Sequence, residues 1–337
     1  MIKNNLNLIL IIFSVLTIIS NYKVFDSNIK QHLLIQYLSS GTISEIPNNY
    51  LERISTNYPT LSSTVIPFKS ITGTYWIQND SIIKGLDLLR TANKENPNLG
   101  FPDAMLAGFH DYLGLKDSFN FYAKQAYNKL PNAPQHYVLI TKMFVNQNKI
   151  DSLEQFFNLI KSRIRDKQVY RIYFSAAIKN KEKFDTISLN ENIKNARSYF
   201  DRDEDISLLT DYLIYGEQKI KDIIKLKQQA IDSFQINPNN SIDIMEKIIR
   251  EVDDNVDLYE TLIEMYFRVE NYTKVINLHQ ALINSEFKIK AFIIEFIAIS
   301  YINLNLIQSG CELAQTLNNY NYSISPSLGK LCNINQN

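Results

Sequence analysis

The chain is 337 residues long, 45% hydrophobic and 21% charged, so it has ample apolar material to bury and lacks the signature of disorder. Lys+Arg and Asp+Glu both number 35, and this balance disfavours a nucleic-acid binder, which carries a basic excess to replace phosphate counterions. Nine glycines, nine prolines and no sustained alternation closed by Asn-Gly or Asp-Gly argue for helices on short turns rather than for strands.

Residues 1–25 read as a membrane anchor or signal sequence. Lys3 precedes a nearly unbroken apolar run, Leu6–Ser20. As a signal peptide it has a basic start and a fair core, but Ile18 and Ser20 make a poor small-x-small cleavage pair. Extended through Tyr22 and Phe25, the run reaches about 20 residues, enough to cross ~30 Å of hydrocarbon. An uncleaved single-span anchor is therefore favoured over a cleaved signal, and both over a buried soluble helix. No cysteine lies nearby, which excludes a lipoprotein anchor. Lys3 and the terminal amine outweigh Lys23, Asp26 and Lys30 by one charge, which places the bulk of the chain outside the cytoplasm.

Residues 26–65 form a connector. Ile29, Leu33, Leu34 and Tyr37/Leu38 recur at helical spacing within Asp26–Ser39, predicting a short amphipathic helix. Pro47 begins a second one near Asn48–Ile54, and Tyr58-Pro59 and Ser62–Pro67 read as loop.

Residues 66–165 then read as one helical hairpin written three times. Pro97 and Pro131 stand 34 residues apart, and on that period Gly73 faces Ala107 and Thr141, while Trp76 faces His110 and Phe144. Gly85 likewise faces Phe119 and Leu153, and Ala92 faces Ala126 and Ile160. The first repeat pairs a helix near Pro67–Gln78 with one near Ser81–Lys94, with Ser81 placed to cap the second by accepting a backbone N–H. Gly73 and Gly85 let the two helices approach closely. The second repeat, Gly100–Pro131, turns at Gly114, where glycine takes the left-handed cap conformation. The third, Pro134–Arg165, turns at Asn148-Lys149.

Residues 166–222 are irregular. Helices are predicted at Val169–Ile178, Glu191–Phe200 and Ile206–Tyr215, around a charged run, Asp201–Asp205, that reads as a solvated turn. Counting back from the carboxyl end leaves one helix over, so either one pair is irregular or the array breaks into two blocks. Regular pairing returns in 223–320: Lys219–Gln235 with Ser241–Val252, Asp257–Arg268 with Tyr272–Ile283, and Phe292–Leu304 with Ile307–Leu317. Residues 321–337 form a carboxyl-terminal cap with a short helix at Ser327–Leu331.

A 34-residue helix–turn–helix period resembles the tetratricopeptide repeat family, and the resemblance covers 66–165 and 219–320. It implies an all-α fold, a right-handed superhelical array of about seven hairpins preceded by the amino-terminal hydrophobic helix. It also implies a concave groove, lined by the first helix of each hairpin, that receives a protein or peptide. Groove spacing carried onto this chain gives Ser70, Thr74, Ile77 and Gln78, then Ala104, Gly108, Asp111 and Tyr112, then Val138, Lys142, Val145 and Asn146. Near the far end it gives Asp257, Glu260, Glu264, Phe267, Arg268 and Glu295. The family's chaperone-tail subgroup holds a terminal carboxylate with a basic and asparagine clamp, a set missing here. The acidic cluster at 257–264 suits a basic partner, although an exposed helix face accounts for it better. Bacterial repeat proteins often end with a cysteine early in the last repeat helix and another in a closing helix, as Cys311 and Cys332 stand here. That likeness implies a disulfide and an oxidising compartment, and two buried free thiols are the equal alternative. The apolar span, the connector and Ile66-Pro67-Phe68-Lys69 also resemble the repeat-bearing tail of bacterial O-antigen ligase or polymerase-type membrane proteins. That second likeness implies an accessory role in envelope polysaccharide assembly.

Catalytic signals are sparse. His110 occupies an aromatic packing position and His279 lies inside a second helix, while His32 and His136 have no partner in sequence. No phosphate-cradling glycine loop, HExxH, G-x-S-x-G or CxxC is present. An α/α hydrolase would need two carboxylates converging on a cleft. The expectation is an interaction scaffold that binds a protein partner and the membrane, with no cofactor, metal or reaction of its own.

Overall fold

The computed structural model describes residues 2–40, 42, 46, 51, 61, 65–163, 165–283, 289–320 and 322–334. Every regular element among them is helical, and they fall into two compact units, Met1–Thr210 and Asp211–Asn337. The second connector helix expected near Asn48–Ile54 and the loop at Tyr58-Pro59 lie outside the described residues, apart from Leu51.

The first helix, α1, runs unbroken over Ile2–Ser39, where the sequence predicts an apolar span followed by a separate amphipathic helix. No glycine or proline interrupts residues 2–39, so nothing breaks the backbone ladder, and one rod of about 57 Å results. Its two ends have different fates. The stretch Ile9–Asp26 has a mean hydropathy of 1.6 and none of it is buried, so α1 is long and apolar enough to cross a membrane. Leu34, by contrast, is fully buried in a cluster with Ile46, Leu51, Phe68, Ile71 and Tyr75. The Tyr75 hydroxyl donates to the Ile46 carbonyl at 2.9 Å, tying the connector to the first hairpin.

The first unit continues with α2 (Phe68–Gln78) and α3 (Ile82–Glu95), α4 (Phe101–Tyr112) and α5 (Lys116–Lys129), α6 (Pro134–Asn146) and α7 (Ile150–Ile160), and α8 (Lys167–Lys179) and α9 (Thr186–Tyr199). The second unit holds α11 (Glu217–Ser233) and α12 (Pro238–Glu251), α13 (Val256–Arg268) and α14 (Tyr272–Ile283), α15 (Ala291–Asn303) and α16 (Ile307–Asn319), and the closing helix α17 (Pro326–Leu331). Among the described residues there are thus four hairpins in the first unit and three in the second. The helix left over is α10 (Glu204–Tyr215), and the division between units falls inside it.

Five hairpins turn in the same way. Three residues link their helices, and the middle one is left-handed: Asp80 at φ 61°, Gly114 at 70°, Asn148 at 53°, Glu270 at 59° and Asn305 at 62°. The next N–H then returns to the carbonyl five residues back, from Ser81 to Trp76 (2.8 Å), Leu115 to His110 (2.9 Å) and Lys149 to Phe144 (3.0 Å). Asn271 to Tyr266 and Leu306 to Tyr301 repeat it at 2.9 Å. This is a Schellman closure, which satisfies carbonyls that a helix end leaves orphaned. It also explains why Ser81 does not cap α3 as expected. The return bond fixes Ser81 at φ −92°, ψ 59°, away from the extended backbone of a side-chain cap, and its hydroxyl makes no cap bond.

The 34-residue register puts a fourth such turn at residue 182, and there it fails. A short 3₁₀ segment, Lys181–Lys183, joins α8 to α9 instead. Asp185 then starts α9 five residues earlier than expected, its carboxylate accepting from the Ser188 N–H at 2.7 Å.

Within hairpins, close crossings are set by small residues. A Cβ added at Gly85 would stand 2.6 Å from the Gly73 carbonyl oxygen and 2.5 Å from Ile77 Cγ1. The last hairpin repeats the arrangement, a Cβ at Gly310 meeting the Ala298 carbonyl oxygen at 2.7 Å and Ile302 Cγ1 at 2.6 Å. At the carboxyl end Ala298, Ala314, Leu317, Ile324, Leu328 and Ile334 form one cluster. Cys311 and Cys332 are joined there by a disulfide, with Cα atoms 5.2 Å apart.

These contacts separate two glycines that look alike in sequence. Gly85→Ala must displace backbone and should destabilise by about 1–3 kcal/mol. Gly108→Ala meets nothing within 4 Å on a helix, so it should be neutral or stabilise by up to about 1 kcal/mol. Thermal melts of the two variants check this, and equal shifts would refute the crossing.

Candidate interaction surface

The groove residues expected from the first three hairpins divide by exposure. Gln78, Gly108 and Tyr112 are exposed, Tyr112 at 86% of its surface, while Thr74, Val145 and Asn146 are half-buried. The Thr74 hydroxyl is turned back on its own helix, donating to the Ser70 carbonyl at 2.9 Å. Ile77 packs inside its own hairpin against Gly85. Ser70 and Ala104 are buried, which withdraws both from a groove. Asp111 and Lys142 meet in an ion pair of 2.5 Å, so the second and third hairpins are joined at this surface.

In the second unit the expected groove residues are largely spent on the fold. Glu260 is only 2% exposed. One carboxylate oxygen accepts from the backbone N–H of Lys290 at 2.6 Å and the other pairs with the Lys290 ammonium at 2.8 Å. Lys290 immediately precedes α15, so Glu260 caps the first helix of the following hairpin, against the expectation of a groove contact. Glu295 does the same 30 residues before Ser325, accepting its N–H at 2.7 Å at the start of α17. Sequence reasoning missed this role. The available signal is a helix carboxylate 30 residues ahead of the residue that opens the next-but-one helix.

The remaining acids are also matched. Asp257 pairs with Lys227 and, at 3.1 Å, with Lys290, and Glu264 pairs with Arg268 at 2.6 Å. Burial alone would raise the Asp257 carboxyl, but hydrogen bonds from Lys227 and Lys290 hold it below its ordinary value. The Tyr266 hydroxyl, followed by Lys274, lowers Glu246 in the same way. Three acids of the 257–264 stretch thus meet three cations of their own unit. Phe267 stacks on Phe296 with centroids 4.4 Å apart, holding α13 against α15.

Three of the four histidines pack, whereas His32 is exposed on α1. His136 is buried and its Nδ1–H donates to the Leu130 carbonyl at 2.9 Å, while His279 Nδ1 lies 3.3 Å from the Tyr301 hydroxyl. Burial lowers the pKa of both. His110 lies parallel to the Tyr122 ring at 5.3 Å, lowered by burial and then by Arg90. Among the described residues no three His, Cys, Asp or Glu side chains gather as a metal site.

No family description and no curated protein matches the chain by sequence. Solved structures similar to it include a tetratricopeptide repeat protein from Parabacteroides merdae ATCC 43184, at 9% identity and a TM-score of 0.36, covering 79% of this chain and 96% of that one. The tetratricopeptide domain of P58(IPK) is similar at 9% identity and a TM-score of 0.34, covering 79% and 95%. The likeness to O-antigen ligase tails gains no support from these matches. The chain is a tetratricopeptide-like helical repeat protein on its own geometry: the 34-residue period, the small-residue crossings and the repeated left-handed turn.

Because the Asp257 pKa is lowered on folding, its ion pairs stabilise above the ordinary carboxylate pKa of about 3.9, and that stability is lost as pH falls through the lowered value. Asp257→Asn should cost about 1 kcal/mol at pH 7, since the group is partly exposed and screened. It should also reduce the loss of melting temperature between about pH 5 and pH 2. An unchanged acid limb would remove Asp257 from the account.

Proposed function

We propose that this protein is a membrane-tethered interaction scaffold without catalytic activity of its own, in which the first helices of the amino-terminal hairpins receive a protein or peptide partner. The observation that carries the reading is Tyr112. It is a large aromatic side chain left 86% exposed at the end of α4, beside the Asp111–Lys142 bridge. Tyrosine gives a partner a rigid apolar face with a polar tip, which is why it is enriched where proteins meet. Gln78, Gly108, Lys142, Val145 and Asn146 supply the polar and apolar surroundings. The carboxyl-terminal hairpins serve differently in this reading, because Glu260 is spent on Lys290, and Glu264 and Arg268 pair with each other.

Tethering is supported by the exposed apolar stretch of α1. Placement of the repeats outside the cytoplasm is supported by the Cys311–Cys332 disulfide, since such bonds persist in oxidising compartments, and by the one-charge excess ahead of the span.

Two measurements test the proposal. Affinity capture of the full chain from intact membranes should recover a reproducible partner, and Tyr112→Ala with Gln78→Ala should reduce it about tenfold, the scale of one lost interface anchor. An undiminished yield would move the site elsewhere. Protease added to intact cells should digest the repeats while the anchor stays protected, and full protection of the repeats would reverse the sidedness.

A further inference from the structure

A second feature lies apart from the first-helix surface. Between α3 and α5, the second helices of the first two hairpins, is a cleft of about 390 Å³, within the range that small-molecule sites occupy. None of its lining residues belongs to the groove set.

Its charged wall is held in place from below. Asp103 is 1% exposed and accepts from the Asn93 amide at 2.8 Å and from the Lys129 ammonium at 2.5 Å. Lys129 also donates to the Asn93 carbonyl oxygen at 2.5 Å, so two of its three N–H donors are used and one is left. This network pairs Lys129 with the buried Asp103 beneath the cleft, whose own lining residues include no carboxylate. Arg90 and Lys94, which also line it, make no ion pair among the described residues. The cleft therefore carries an excess of two positive charges. A bridge that served only to join hairpins would need neither of them.

Part of the lining is an apolar wall. Tyr122, Pro97 and Leu106 line it, and the Tyr122 ring is backed by His110 in a parallel stack with an interplanar angle of 1°. His110 Nδ1 is buried there without a hydrogen-bond partner, so the ring acts as a flat apolar support.

We propose that this cleft binds a small organic anion, a carboxylate or a phosphate ester, with its charge on Arg90, Lys94 and Lys129 and its apolar body against Tyr122 and Pro97. Guanidinium and ammonium groups suit both anions, because charge-assisted hydrogen bonds to either are short and strong. The apolar wall sets the second requirement and separates such a ligand from a free inorganic ion. The site stands independently of the scaffold reading, since it uses other helices and other residues.

The test is titration calorimetry on the full chain in lipid nanodiscs, with phenyl phosphate and phenylacetate as probes and inorganic phosphate as the bare-anion comparison. At least one probe should saturate at one per chain, and which one binds more tightly separates the phosphate ester from the carboxylate. Inorganic phosphate should bind at least about tenfold more weakly, and Arg90→Gln with Lys94→Gln should weaken the probe by about tenfold or more, as loss of charge-assisted bonds does. Both side chains are exposed, so the double variant should melt at the wild-type temperature without ligand. Absence of saturable binding by both probes would overturn the site. So would probe binding unchanged in the double variant, and inorganic phosphate binding as tightly as phenyl phosphate would overturn the apolar half.

Discussion

The fold depends on reversing the chain within three residues, time after time. A helix that ends must hand its orphaned carbonyls to something, and a left-handed residue lets the following N–H reach back five positions. Placed at Asp80, Gly114, Asn148, Glu270 and Asn305, this closure sets the second helix of each of these five hairpins at a fixed offset from the first. Only then do Gly73 and Gly85, or Ala298 and Gly310, arrive opposite each other at distances that no larger side chain tolerates. Period, crossing and turn are one constraint seen at three scales.

Successive hairpins are then fastened by side chains 30 or 31 residues apart. Asn158 meets Ser188, Lys161 meets Asn192, Asp111 meets Lys142, and Glu260 and Glu295 reach the openings of the helices that follow. Buried carboxylates at helix N-termini satisfy backbone donors and face a favourable dipole, so they contribute more than surface ion pairs do. The balance of 35 acidic and 35 basic residues has a local counterpart here, because the acids of the 257–264 stretch find their cations inside the same unit.

The period was legible because Pro97 and Pro131 mark it and because Gly114 announces its turn chemically. Glu270 announces nothing, since glutamate is not a turn residue, and the backbone closure from Asn271 to Tyr266 accompanies its left-handed conformation. Ser81 misled for a related reason: its residue type suits a side-chain cap, while the backbone closure had already fixed its geometry. The span and the amphipathic helix of residues 2–39 were read as two elements because their composition changes at Asp26, yet composition does not break a helix that has no glycine or proline. Spacing puts Asp111, Tyr112 and Lys142 on first helices, but it does not show that Asp111 and Lys142 pair across two hairpins. The role of Glu260 is not legible either, because spacing along a helix cannot show that the opening of a later helix will lie against it.

A stack of repeats has two ends, each with an apolar face that no further repeat will cover. In the second unit such a face is closed by α17 and its disulfide. In the first unit, Leu34 of α1 lies over Phe68, Ile71 and Tyr75, together with Ile46 and Leu51 of the connector. The helix that is long and apolar enough to cross a membrane is therefore also the lid of the first hairpin. Cutting the chain within the exposed stretch Ile9–Asp26 leaves that lid in place, whereas cutting at residue 40 uncovers three large side chains that are now at most 1% exposed. A shortened form of this protein must keep the last turns of α1 to keep its first hairpin covered.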